Sequence, residues 1–329
     1  MALGEIIGHH RQLEMLRLAL ASGRLHHAYL FVGPEGIGKR TLAIALAMAV
    51  HCSESAADFC GSCVNCRRIG DGNHPDVRLI EPLAGKKEIS IQQIRDFERE
   101  LNYRSFTGKR KIIIVDPATL MNLPSQNALL KTLEEPPQDS LIILIASSAG
   151  GLLPTVRSRC LRIAFAPLAR SDVIHYLRTK QGMTGDEVEF LAAMSMGSIG
   201  AALGLDKEAF AEKRRIWAGI VGSLKAGDYS AALAAAEALA GNRDDALKFL
   251  AWAQSWFRDL LVYGVTGDSG ELVNTDMREQ IAQQAAPAKS EQRIAALTES
   301  HRAAAAIQRN LNRRMVLEKY LFGVMKGQR

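Results

Sequence analysis

The sequence predicts a three-layer α/β core followed by segments made only of helices. Five short apolar runs alternate with helical patterns in the first half of the chain, and the strand pattern largely stops after residue 168. Each run is nearly continuous and bounded by glycine, proline or charged residues, as is typical of parallel strands buried on both faces. The runs are 28-AYLFV-32, 77-VRLI-80, 111-KIIIV-115, 141-LIILIA-146 and 161-LRIAF-165.

The order of these patterns divides the chain into three predicted domains. Residues 1–166 should form the α/β core with a parallel five-stranded sheet, because helical patterns such as 89-ISIQQIRDFERELN-102 separate the strands. A small helical lid is expected over residues 167–206. The remaining residues, 207–329, are rich in alanine and predict an all-α C-terminal domain.

The composition of the chain limits the classes of protein to which it can belong. The chain has 329 residues, 47% of them hydrophobic, and a net charge of +6 that is spread along the sequence. This excess permits contact with nucleic acid without arguing for it. The start carries no basic segment leading into an apolar core, and the longest apolar run, Thr41 to Val50, is too short for a membrane span. We therefore expect a cytoplasmic protein with no membrane partner.

A glycine-rich segment, 33-GPEGIGK-39, follows the first predicted strand and precedes a helix, which is the context of a phosphate-binding loop. Gly33, Gly36 and Gly38 let backbone N–H groups surround an anion, and Lys39 can reach the outer phosphates. The next position holds Arg40, where a Mg²⁺-binding hydroxyl is expected. A guanidinium cannot bind a metal cation, and the following Thr41 lies about 100° further round the helix. A glycine turn without a ligand is the alternative interpretation.

A carboxylate that could position a metal follows the third predicted strand. Asp116 ends the run 112-IIIVD-116, and an ATPase of this build usually continues with a second carboxylate that activates water. The next residue is Pro117, which has no acid–base group. Asp116 could also be a turn former at the strand end, and the pattern favours nucleotide binding without hydrolysis.

Four of the five cysteines lie within fifteen positions and predict a metal site. Cys60, Cys63 and Cys66 form two consecutive CxxC steps, and Cys52 precedes them at the end of the helix after the loop. Four thiolates complete the tetrahedral shell of a structural Zn²⁺ and leave no open position for water. An iron–sulfur cluster or four thiols without a ligand are the alternatives.

Taken together, several motifs resemble those of bacterial clamp-loader subunits of the AAA+ class. They occur in that family's order, and the four-cysteine insertion, at about residues 52–66, also occurs in the family. The segment 126-QNALLKTLEEPP-137 is the most specific of them, followed by 157-RSRC-160. The resemblance implies an AAA+ P-loop core, a helical lid and a C-terminal collar domain that oligomerises. The other matching motifs are Gly8 in 6-IIGHH-10, the 33-GPEGIGK-39 loop and 112-IIIVD-116.

Three departures indicate which branch of the family the chain resembles. An ATP-hydrolysing gamma/tau subunit would be expected to have threonine at position 40, glutamate at 117 and a sensing arginine in the lid. This chain has Arg40, Pro117 and Gly200 instead. It therefore resembles the delta-prime type, which implies that ATP binding is weak or absent and that intrinsic ATPase activity is not expected.

The resemblance also implies a role for Arg159. Such an arginine lies at the subunit edge in this family and reaches the γ-phosphate held by a neighbouring subunit, acting as an arginine finger. From composition alone, a salt-bridged surface arginine would be the simpler interpretation, as for Arg157 and Arg162. The implied partners are the gamma/tau and delta subunits, together with the sliding clamp and primed DNA that the complex handles.

Two other functions remain open from the sequence. The chain could be a gamma-like ATPase motor in which Thr41 supplies the missing hydroxyl. It could also be a stand-alone P-loop kinase or transferase with a zinc-stabilised lid. ATP turnover by the purified chain would favour the first, and phosphoryl transfer to a small acceptor would favour the second.

Overall fold

A computed structural model describes residues 3–107, 109–267, 272–285, 290–309 and 311–326. The chain forms two compact units. The first contains Met1–Gly182 and Ser195–Leu203, and the second contains Met183–Met194 and Gly204–Arg329.

The first unit is built on a five-stranded, all-parallel sheet with the order β2-β3-β4-β1-β5. Ala28 is in register with Ile142 of β4, and Tyr29 with Leu161 of β5. The predicted parallel sheet is therefore confirmed. The strands are β1 (Ala28–Val32), β2 (Val77–Ile80), β3 (Lys111–Val115), β4 (Ser140–Ala146) and β5 (Leu161–Ala164).

Most helices of the first unit connect the strands, whereas the second unit contains no strand among its described residues. The helices are α1 (His10–Ala21), α2 (Lys39–His51), α3 (Val64–Gly70), α4 (Ile91–Leu101), α5 (Leu123–Glu134), α6 (Pro154–Arg157), α7 (Arg170–Lys180), α8 (Asp186–Met194), α9 (Ile199–Leu203), α10 (Lys207–Ser223), α11 (Tyr229–Leu239), α12 (Arg243–Thr266), α13 (Arg278–Gln284), α14 (Ser290–Gln308) and α15 (Arg313–Lys326). Within the described ranges, none of them is long and apolar enough to cross a membrane.

The three inner strands, β1, β3 and β4, are buried along their whole length because helices cover both faces of the sheet. Successive side chains of β1 point to opposite faces. Phe31 enters an apolar cluster with Leu42 of α2, and Leu30 enters a second cluster with Leu129 of α5. This double burial explains why the strands appear in the sequence as continuous apolar runs rather than as alternating ones.

The second unit packs around α12, whose first turn is capped by the Asn242 side chain. Trp252 and Trp256 of α12 are buried and stacked, with ring centroids 5.4 Å apart. Trp217 of α10 lies 5.7 Å from Trp252 and belongs to the same core. These three tryptophans are therefore core residues of a helical unit.

Candidate functional site

The glycine-rich loop lies between β1 and α2, as the sequence predicts, and its glycines have distinct geometric roles. Gly36 and Gly38 have φ values of 71° and 102°, in the left-handed region that glycine adopts most easily. A Cβ atom on Gly33 would lie 2.3 Å from the carbonyl oxygen of Phe165, so only glycine fits there without a shift. The loop therefore leads from the sheet into the first turn of α2, where free N–H groups favour an anion.

The side chain of Lys39, the first residue of α2, folds back onto this loop. Its Nζ donates to the carbonyl oxygen of Gly33 at 2.6 Å and also to that of Pro34. Burial lowers the pKa of Lys39, while the charges of Asp116 and Glu35 act in the opposite direction. The ammonium group is thus held at the mouth of the loop, where a phosphate would take the place of the carbonyl groups as its partner.

Arg40 forms an ion pair with Asp116, the carboxylate that the sequence predicts as a metal ligand. Its Nε lies 2.5 Å from Oδ2 of Asp116, and its Nη2 lies 2.5 Å from Oε1 of Glu81. Burial opposes the charge of Arg40, but hydrogen bonds and the charges of the two carboxylates raise the pKa of the guanidinium. Asp116 is therefore already paired with a permanent cation, which does not fit a site that holds Mg²⁺.

A cavity of about 810 Å³ opens beside the loop and is large enough for a nucleotide. Lys39, Arg40 and Asp116 line it, as does Thr41, the residue considered as a replacement hydroxyl. Glu81 directly follows β2, just as Asp116 follows β3, but it is not among the residues predicted from the sequence. Tyr176 and Lys180 also line the cavity and carry no local signal in the sequence, whereas Ile6 and Ile7 belong to the 6-IIGHH-10 motif without being predicted as site residues.

The segment 195–203, which contains α9, packs directly on the phosphate loop. The N–H group of Gly200 donates to the Gly36 carbonyl oxygen at 2.9 Å, and Ser198 Oγ donates to that of Glu35 at 2.8 Å. A Cβ atom on Gly200 would lie 2.8 Å from Gly36 Cα. Any side chain at position 200, including an arginine, would therefore require the loop and α9 to move apart.

Arg159 lies at a different place from these residues, just after α6. Its Nη2 pairs with Oε1 of Glu134 at 2.5 Å, and its Nη1 donates to the carbonyl oxygen of Thr155 at 3.0 Å. The Arg159 side chain is 34% exposed. It does not line the cavity beside Lys39 and Asp116. Within this chain, therefore, Arg159 forms an ion pair on the surface and is not part of the chain's own phosphate site.

The four clustered cysteines converge on one point. Cys52 follows the last residue of α2, Cys63 caps α3, and Cys66 lies in the first turn of α3. Their sulfur atoms, with that of Cys60, all lie within 4.8 Å of one another. A tetrahedral Zn²⁺ with Zn–S bonds of roughly 2.3 Å requires sulfur atoms about 3.8 Å apart. Separations within 4.8 Å are compatible with that geometry, so the arrangement fits Zn²⁺.

The backbone around these cysteines favours thiolates. The N–H group of Cys63 donates to Cys60 Sγ at 3.2 Å, and that of Cys66 donates to Cys63 Sγ at 3.4 Å. Burial disfavours the charged form of Cys63, but hydrogen bonds from Ser53 and Cys66 lower the pKa of its thiol to about 5. Burial raises the pKa of Cys66 to about 12, so that this thiol would need a cation to lose its proton.

A second group of possible metal ligands, His51, His74 and Asp76, is buried nearby, but its hydrogen bonds argue against a metal. The Asp76 N–H group donates to His74 Nδ1 at 3.1 Å, so the neutral ring carries its proton on Nε2. Thr107 Oγ1 donates to Asp76 Oδ2 at 2.9 Å and therefore accepts from His51 Nδ1. Of the two imidazole rings, only that of His51 then has a free nitrogen lone pair, on Nε2, and one nitrogen with the Asp76 carboxylate makes too few ligands for a metal site.

Comparison with known proteins identifies the family. Models described as "DNA polymerase III, delta subunit" and "DNA polymerase III, delta subunit, C terminal" match residues 8–169 and 224–325. DNA polymerase III subunit delta' of Pseudomonas aeruginosa is 34% identical over 90% of this chain and 90% of its own length. The chain belongs to the DNA polymerase III delta-prime family.

Two further relatives show that the match extends over more of a delta' subunit than of a tau subunit. The delta' subunit of Escherichia coli is 31% identical over 75% of this chain and 73% of its own length. The tau subunit of the same organism is 32% identical, but the match covers 63% of this chain and 33% of tau. Membership of the delta-prime family confirms the predicted resemblance and, with the five-stranded sheet, the predicted AAA+ P-loop fold with a helical C-terminal region.

Proposed function

We propose that this chain is a non-hydrolysing subunit of the DNA polymerase III clamp loader. It acts with gamma/tau and delta subunits, which it binds through its helical C-terminal domain, while the complex loads the sliding clamp onto primed DNA. The non-hydrolysing role is supported by the ion pair between Arg40 and Asp116, because Arg40 engages the carboxylate that a metal would need. Family membership supports the general role in the clamp loader.

Two further residues support the absence of hydrolysis. Pro117 follows Asp116 and supplies no general base for an attacking water. Gly200 contacts Gly36 so closely that no lid arginine fits in this arrangement. A gamma-like motor that relies on Thr41 is disfavoured because Thr41 shares its cavity with an Asp116 that is already paired. A stand-alone kinase is disfavoured because the delta' subunit of Pseudomonas aeruginosa matches 90% of this chain.

In this proposal, Arg159 supplies the catalytic charge to a neighbouring gamma/tau subunit. A guanidinium presents a planar, permanently charged fork that stabilises the charge developing on a transferred phosphoryl group. The Arg159 side chain is partly exposed, and one partly exposed carboxylate, that of Glu134, holds it. Surface pairs of this kind are worth roughly 0–1 kcal/mol, so Arg159 can leave Glu134 at little cost when a phosphate is presented.

Replacing Arg159 in the reconstituted complex tests this role. Arg159→Ala should lower the clamp- and DNA-stimulated ATPase of the neighbouring site by roughly 10³-fold or more, as for other arginine fingers. The matched control is Arg157→Ala, which removes an exposed arginine two residues away and should leave the rate within about twofold. Equal rates for wild type and Arg159→Ala in an intact complex would contradict the proposal.

We also propose that Cys52, Cys60, Cys63 and Cys66 hold a structural Zn²⁺. The convergence of the four sulfur atoms and the N–H···S hydrogen bonds support this proposal. Metal analysis of the purified protein should give one zinc per chain. Cys63→Ser should lose that zinc and lower the melting temperature, whereas Cys160→Ser, outside the cluster, should keep it. Iron in place of zinc, or no metal in the wild type, would contradict the assignment.

A further inference from the structure

Arg40 does more than replace a metal-binding hydroxyl, because its guanidinium contacts the carboxylates at the place where a metal ion would bind. Asp116 and Glu81 follow neighbouring strands, β3 and β2, and both carboxylates meet the Arg40 guanidinium at 2.5 Å. The Asp116 side chain is only 14% exposed, so its charge needs a nearby partner. Arg40 supplies that partner from the first turn of α2.

A guanidinium and Mg²⁺ neutralise carboxylates in different ways. Mg²⁺ requires about six oxygen ligands at roughly 2.1 Å, several of them usually waters. An arginine stays protonated and offers five N–H donors in a fixed plane. Once Arg40 is seated on Asp116, a divalent ion at the same oxygen would face a permanent positive charge at close range. The two cations therefore exclude each other.

We propose that Arg40 replaces the divalent cation of this phosphate site, so that the cavity binds the phosphates of a nucleotide without Mg²⁺. Two guanidinium N–H groups hold Asp116 and Glu81, and among the described residues the other three have no protein acceptor. Arg40 and Lys39 line the same cavity. Charge-assisted bonds from these donors to phosphate oxygens would take over the role of the metal. This inference deepens the proposed non-hydrolysing role and rests on it.

The charge of the cavity sets the expected strength of binding. The lining carries three basic side chains, Lys39, Arg40 and Lys180, and three acidic ones, Glu5, Glu35 and Asp116. Because these acidic and basic groups balance, a polyphosphate meets little net attraction, and binding should be weak. Binding should also depend on Arg40, because its free N–H donors add to those of Lys39.

Binding of a fluorescent ADP analogue to the isolated full chain tests the proposal. The wild type should bind the analogue equally well, within about twofold, in buffer without added divalent cation or chelator and in excess MgCl₂. Arg40→Thr should bind it roughly tenfold more weakly without added Mg²⁺, because charge-assisted hydrogen bonds are lost. The affinity of Arg40→Thr should recover when Mg²⁺ is added, because Asp116 is then free for a metal. Arg17→Thr, at an exposed position on α1, is the matched control and should behave as the wild type.

Mn²⁺ gives a second readout, because its electron paramagnetic resonance signal distinguishes the free ion from the protein-bound ion. With ADP present, Arg40→Thr should bind Mn²⁺, and the double variant Arg40→Thr/Asp116→Asn should not. The wild type should bind none at this site.

A wild type that requires Mg²⁺ for ADP, binds no ADP, or binds Mn²⁺ as well as Arg40→Thr does would overturn the proposal. The wild-type measurements decide this even if Arg40→Thr fails to fold. Failure here would leave the Arg159 test unaffected, since that test measures ATP turnover in a neighbouring subunit.

Discussion

Two arginines of the first unit form ion pairs with the same contact distance but in different surroundings. Arg40 lies 2.5 Å from both Asp116 and Glu81, and Arg159 lies 2.5 Å from Glu134. Asp116 is mostly buried, whereas Glu134 is about half exposed. Arg40 therefore satisfies a charge that has lost much of its water, while Arg159 satisfies one that is still well solvated.

Under the proposed function, the same residue type serves two different purposes at these two places. Removing Arg40 leaves a poorly hydrated carboxylate without a partner, which costs free energy. Removing Arg159 leaves a carboxylate that water can solvate. We infer that Arg40 is suited to stay at its own site, and that Arg159 is suited to leave Glu134 for a phosphate on another subunit.

Stability measurements on alanine variants are the strongest test of this difference between Arg40 and Arg159. Arg40→Ala should lower the free energy of unfolding of the first unit by about 1–2 kcal/mol, because Asp116 loses its partner while the partial exposure of Arg40 limits the loss. Arg159→Ala should lower it by less than about 0.5 kcal/mol, because its pair is exposed on both sides. Urea unfolding, followed by a signal from the first unit, measures both values.

The double variant Arg40→Ala/Asp116→Asn supplies the control for this comparison. If the unpaired carboxylate causes the loss, neutralising Asp116 should restore part of the stability lost in Arg40→Ala. Equal losses for Arg40→Ala and Arg159→Ala, or no recovery in the double variant, would show that the two pairs do not differ as their burial suggests.

Most of the fold could be predicted from the sequence because it depends on local patterns. The three inner strands are continuous apolar runs, and burial on both faces makes such runs visible without knowledge of their neighbours. The edge strands β2 and β5 are largely exposed, although their short apolar runs were also recognisable. The glycine loop and the four cysteines were also visible, since each group is compact in the sequence. Their metal and nucleotide ligands remain predictions.

The contacts that define the site could not be predicted in the same way, because they depend on strand order. Arg40 follows β1, whereas Asp116 follows β3, and β4 lies between these two strands in the sheet. The sequence therefore indicated a lost hydroxyl at position 40 but not the carboxylates that Arg40 would contact. The Gly36–Gly200 contact likewise joins residues far apart in the chain. Glu81 is the exception, since a carboxylate directly after a strand is a signal that the sequence contains.

The smallest expected effect concerns Glu134, which holds Arg159 in this structure. Glu134→Gln keeps the size of the side chain and removes its charge, so Arg159 should leave it more easily. Because an exposed pair is worth roughly 0–1 kcal/mol, the stimulated ATPase of the reconstituted complex should stay equal or rise by up to about fivefold. Glu135→Gln, next to it in the chain, is the matched control and should leave the rate unchanged. A fall in the stimulated ATPase rate as large as that of Arg159→Ala would instead mean that Glu134 positions Arg159 for catalysis. The ion pair would then be part of the catalytic arrangement, and Arg159 would not leave Glu134 to reach a phosphate.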